Sequence, residues 1–153
     1  MTVEEKLGEL GLSLPEVPGT FGSYVRDIQV GPLLFLAGTI GRIDGKLPYA
    51  GQVGKEVTIE QGYEMARRCT LTHLAVIRQA LGDLERVAQV VRLLGYVNSA
   101  PGFTDQPKVV NGASDLLVEV YGDRGRHTRA AIGVSGLALN APVETELIVA
   151  VRP

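Results

Sequence analysis

The segment "LERVAQVVRLLGYVNSA", Leu84 to Ala100, decides the fold. Leu84, Val87, Val91 and Leu94 recur at a spacing that suits a helix. The run is nevertheless rich in valine and carries Gly95, and both features favour an extended chain. β-Branched side chains lose rotamer freedom on a helix, and a glycine inside one weakens it. The segment therefore reads as a strand over about Val87 to Asn98.

Clear helices flank this strand. Upstream, Thr58 and Gln61 in "TIEQ" have capping-box spacing. Ile59, Tyr63, Ala66, Thr70, Leu74, Ile77 and Leu81 then recur with a helical period, and Gly82 is a natural stop. Downstream, "TDQPKVVNGASDLLVEVYG" has Pro107 in its first turn. Val109, Ala113, Leu116, Leu117 and Val120 form an apolar stripe that ends at Gly122.

The remaining strands fall outside these helices. "SYVRDIQV" and "LLFLAGTIG" read as two strands joined by a tight turn at Gly31-Pro32. "HTRAAIGVS" and "VETELIVAV" read as the last two. Thr2 and Glu5 cap a short leading helix that brings Leu7 and Leu10 onto one side. Leu12 to Gly22 is a loop, and Asp44-Gly45 is a hairpin turn signal. The order is β-β-α-β-α-β-β after the leading helix. It predicts a single α+β domain over residues 1–153, with a mixed sheet and two helices on one face. "LLFLA" and "ELIVAV" are too apolar to leave their outer face in water, so a symmetric oligomer is expected.

Composition narrows the function. The 153 residues are 45% apolar and 21% charged, with 15 basic and 17 acidic side chains. A net charge of −2 gives no electrostatic case for binding nucleic acid or an anionic membrane. Aromatics are 5% and tryptophan is absent, so a base-stacking platform is not expected. The opening "MTVEEKLGEL" has no apolar signal region, no run is long enough to span a bilayer, and Cys69 has no disulfide partner. A reducing cytoplasm is the expected compartment.

Familiar cofactor motifs are missing. "GQVGK", Gly51 to Lys55, lacks the spacing of a phosphate-binding loop. Two histidines and one cysteine cannot build a usual zinc site, so neither metal nor cofactor is expected. Cys69 reads as a small core residue, and His73, one helical turn on, as a half-buried structural histidine.

The strand "HTRAAIGVS" carries the candidate chemistry. His127, Arg129, Ala131 and Gly133 share one face, as do Glu144, Glu146, Ile148 and Ala150 on the last strand. If the chain reverses tightly around Gly136, Arg129 pairs directly with Glu144. Two readings then stand. One is a structural ion pair bracing the sheet. The other is a bidentate arginine that grips a substrate carboxylate beside a proton-carrying glutamate, above a floor cleared by Ala131 and Gly133.

Several motifs in this order resemble the RidA/YjgF family, also known as endoribonuclease L-PSP-like. They are Tyr24-Val25, "GPLLFLAGTIG" with "DGK" after it, the Gln61 helix, "VNSAPGF", "VVNGAS", "HTRAAIGV" and "PVETELIVAV". The resemblance implies a chorismate-mutase-like fold and a homotrimer with pockets between subunits. It implies hydrolysis of reactive enamines and imines such as 2-aminoacrylate to a keto acid and ammonia, the 2-iminobutanoate/2-iminopropanoate deaminase activity. It also implies that Arg129 holds the substrate carboxylate, Glu144 positions or activates water, Tyr24 lines the pocket, and Asn111 matches a family asparagine. The chain departs from the pattern where deaminating members have Ser, Cys and Pro; it has Ala37, Ala131 and Ala138. A trimer that binds a small carboxylate without turning it over is therefore the alternative expectation, with ribonuclease activity behind both.

Overall fold

The computed structural model describes residues 1–153. Its elements are α1 (Val3–Glu9), β1 (Asp27–Val30), β2 (Leu33–Ile40), α2 (Ile59–Leu81), β3 (Val87–Asn98), α3 (Gln106–Tyr121), β4 (Thr128–Val134) and β5 (Val143–Val151). The ambiguous segment is a strand over the expected residues. Gly95 shows why: a Cβ there would lie 2.6 Å from the Val110 side chain, so the glycine lets α3 lie close on β3. Thr58 and Gln61 form both halves of the capping box on α2, and Gly82 ends it in the left-handed region at φ 80°.

The five strands form one sheet in the order β1-β2-β5-β3-β4. β1 to β2, β2 to β5 and β5 to β3 pair antiparallel, and β3 to β4 pair parallel. The sheet is therefore mixed, as expected. The tight hairpin expected between β4 and β5 does not form. α3 carries the chain across the sheet, which sets β4 parallel beside β3 at the edge. β5 then returns to the middle, where β2 and β3 satisfy both of its hydrogen-bonding edges.

α2 and α3 cover one face. Val143, Thr145, Leu147, Val149 and Val151 of β5 are buried, alternating with less buried residues. Leu93 and Val97 of β3 join Met65, Leu74, Ile77, Leu116 and Leu117 in the same core cluster. The other face carries Ile28 (57% exposed), Val30 (63% exposed), Phe35 and Ile132. No helix is long and apolar enough to cross a membrane.

Two local expectations are corrected. β1 is shorter than "SYVRDIQV", because Ser23 to Arg26 leave the sheet. The Arg26 guanidinium instead donates to the carbonyls of Pro18, at 3.0 Å, and Gly19, and ties the preceding loop down. In α1, Leu7 is buried but Leu10 is the exposed C-cap, one position past the helix.

Candidate active site

Arg129 lies on the edge strand β4, paired with the buried Leu93, so its side chain points toward α3. Nη1 donates to Asn111 Oδ1 at 2.7 Å and to Ser114 Oγ at 3.1 Å, and Nη2 donates to the Pro107 carbonyl at 3.5 Å. Both protons of Nη1 are thus committed. The Nε–H has no partner and Nη2 has only the long contact to Pro107, so the edge these two nitrogens share is the less engaged one. That edge has the spacing of two carboxylate oxygens. None of the ion pairs of the chain involves Arg129. Its charge is held only by neutral oxygens.

Glu144 lies elsewhere. It pairs with Tyr96 on β3 and Ile40 on β2, on the sheet face away from the helices. Its carboxylate lies over Gly38, where a Cβ would meet Oε2 at 2.9 Å. Burial raises the pKa of Glu144, and the like charge of Glu146 adds to the shift. Glu146 accepts a hydrogen bond from the Tyr96 hydroxyl at 3.3 Å. A cavity of about 880 Å³ over this site is lined by Tyr24, Arg26, Gly38, Thr39, Arg42 and Glu144, among others. A second, of about 330 Å³, is lined by Tyr24, Phe35, Ala37, Leu94 and Glu146, among others.

The candidate site residues therefore fall into two groups, two candidate half-sites. Arg129 and Asn111 meet on the α3 side, while Tyr24, Ala37 and Glu144 gather on the outer side. Arg129 and Glu144 form no ion pair: β3 lies between their strands, and they project from opposite faces. The expected pocket floor also differs. Ala131 packs against the core, and the space above Gly133 holds the Gln106 amide and the Ser99 hydroxyl. Neither cavity is lined by Arg129, Asn111 or Ala131.

The buried pair on α2 stands apart from both half-sites. Cys69 is fully buried, with its thiol 3.4 Å from the Thr39 carbonyl, and burial pushes its pKa up to about 12. His73 is fully buried rather than half-buried. Its Nε2 lies 3.1 Å from the Thr145 carbonyl and 2.9 Å from the Thr145 hydroxyl, and burial lowers its pKa to about 4. No cluster of three His, Cys, Asp or Glu side chains comes together.

Two further polar side chains adjoin Arg129. Ser114 lies three residues after Asn111 on α3, on the side that meets Arg129. His127 precedes Arg129 by two residues and reaches Ser114 at 2.9 Å. Both fall inside the motifs "VVNGAS" and "HTRAAIGV", and helical and strand spacing aligns them with Asn111 and Arg129, but the sequence reading assigns neither a role.

The family described as "YjgF/chorismate_mutase-like, putative endoribonuclease" matches residues 4–149. The chain belongs to the YjgF/RidA family. Protein TCP17 of Trypanosoma cruzi is a relative, 40% identical over 148 residues, covering 96% of this chain and 92% of its own. Atu1372 of Agrobacterium tumefaciens, a solved structure of unknown function, is 38% identical with a TM-score of 0.92. It covers 99% of this chain and 93% of its own. A "putative endoribonuclease" from Shewanella oneidensis MR-1 is 37% identical with a TM-score of 0.96, covering 99% of this chain and 100% of its own. The YjgF/RidA fold is the mixed sheet with helices on one face described above.

Proposed function

We propose that the protein hydrolyses small enamine and imine carboxylates, of which 2-aminoacrylate is the type, to a keto acid and ammonia. The observation that carries this reading is the state of Arg129: Nη1 is fixed by Asn111 and Ser114, while its Nε–Nη2 edge carries only the long Nη2 contact to the Pro107 carbonyl. A positive charge with no carboxylate of its own is poised for a carboxylate from outside. The exposed apolar face bearing Ile28, Val30, Phe35 and Ile132 supports a homotrimer, and the separation of the half-sites supports a site completed between neighbouring copies. The proposed compartment is the cytoplasm.

The chemistry follows from these groups. The enamine first takes a proton from solvent on its terminal carbon to become the iminium ion. Arg129 holds the carboxylate and fixes the imine carbon in place. Glu144 takes a proton from water as its oxygen bonds to that carbon and the electron pair of the C=N bond moves to nitrogen. Glu144 then passes that proton to nitrogen; as the C–N bond breaks and ammonia leaves, the hydroxyl gives up its remaining proton to Glu144 and becomes the carbonyl of the keto acid. The raised pKa of Glu144 makes it a stronger base than an ordinary carboxylate. No step draws on a metal or cofactor.

The test generates 2-aminoacrylate in place and follows pyruvate. Arg129→Ala and Glu144→Gln should each slow release by about 100-fold. An equimolar mixture of the two variants, refolded together, should regain about one quarter of the parental rate if each site draws one residue from each neighbour. Parental rates in Arg129→Ala would sink the reading. Ala37 and Ala131 offer no polar side chain to a substrate, which favours a second reading, a trimer that binds a carboxylate without turnover. Pyruvate binding lost in Arg129→Ala, with no hydrolysis by the parent, would select it.

A further inference from the structure

We propose that Ser114 and His127 are positioning residues that aim the Nε–Nη2 edge of Arg129, an inference that rests on the carboxylate-clamp reading. For a neutral imidazole, the hydrogen bonds of this relay each take one direction. His127 Nδ1 lies 2.7 Å from the Gly125 carbonyl, which can only accept, so Nδ1 carries the ring proton. The neutral ring then has a lone pair on Nε2, 2.9 Å from Ser114 Oγ, and the serine hydroxyl donates to it. With its proton committed, Ser114 turns a lone pair toward Nη1 of Arg129 at 3.1 Å. Asn111 Oδ1 takes the other Nη1 proton.

The relay is anchored on backbone that cannot move. A Cβ on Gly125 would lie 2.2 Å from the Leu117 carbonyl, so the turn carrying Gly125 is pressed against α3. The line from Gly125 through His127 and Ser114 to Arg129 therefore transmits a fixed position to the guanidinium. An arginine without such support samples many rotamers, and a ligand must then freeze them at its own cost.

The experiment measures the Kd for pyruvate by calorimetry in the full chain, with circular dichroism as the check on folding. Ser114→Ala should bind about five-fold more weakly, the scale of one lost hydrogen bond. Ser114→Thr, which keeps the hydroxyl, should bind like the parent. His127→Ala should also bind about five-fold more weakly, whereas His127→Gln, whose amide oxygen can still accept from Ser114, should bind like the parent. Parental affinity in a folded Ser114→Ala or a folded His127→Ala overturns the positioning role while leaving the clamp intact. No pyruvate binding by the parent, or equal binding by Arg129→Ala, overturns the clamp and this inference with it.

Discussion

Glu144 illustrates how environment assigns a role to a side chain. It is half-buried over Gly38, and Glu146 shares its sheet face two residues on. Burial and the neighbouring charge both disfavour its ionised form, so its pKa lies above the ordinary carboxylate value. A general base must be ionised to work, so the acid limb of the pH–rate profile should lie above that of a free carboxylate. Glu146→Gln removes the like charge and should move that limb to lower pH, read from kcat/KM for 2-aminoacrylate. A limb that stays in place would assign it to another group.

At the scale of elements, α2 and α3 come into backbone contact at Gly112. A Cβ on Gly112 would lie 2.0 Å from the Tyr63 carbonyl, and backbone cannot step aside as a flexible side chain can. Gly112→Ala should cost about 3 kcal/mol in urea unfolding. Gly8, in α1, meets nothing within 4 Å of an added Cβ. Gly8→Ala should stabilise by about 0.5–1 kcal/mol, because alanine loses less backbone freedom in a helix. The contrast explains what the sequence could reveal. β3 was legible because valine content and Gly95 act locally, and α2 because its capping box and Gly82 act locally. Strand neighbours are chosen by the path of the chain, so the placement of β5 between β2 and β3 left no local trace. The same holds for the site. The motif around Arg129 could be recognised, but Ser114 and His127 gain meaning only once α3 has crossed to lie beside β4.

The molecule as a whole should be sensitive to acid through His73. Its folded pKa of about 4 lies below that of the unfolded chain, where histidine titrates near 6.5. Between these values the unfolded state binds more protons, so stability rises with pH. The stabilisation is fully present above 6.5 and is lost as pH falls through that window to about 4. Its size is on the order of 3 kcal/mol. Urea midpoints across this range check it, and His73→Gln should flatten the slope. One turn earlier on the same helix, Cys69 is sealed from solvent with its thiol held protonated. A disulfide-exchange dye should find nothing to react with in the folded chain, since the thiolate is the nucleophile. Every labelled molecule is then one that has opened. Dye uptake should quicken in Gly112→Ala and slow in Gly8→Ala, which makes the lone cysteine a clock that counts unfolding events without any probe being added to the protein.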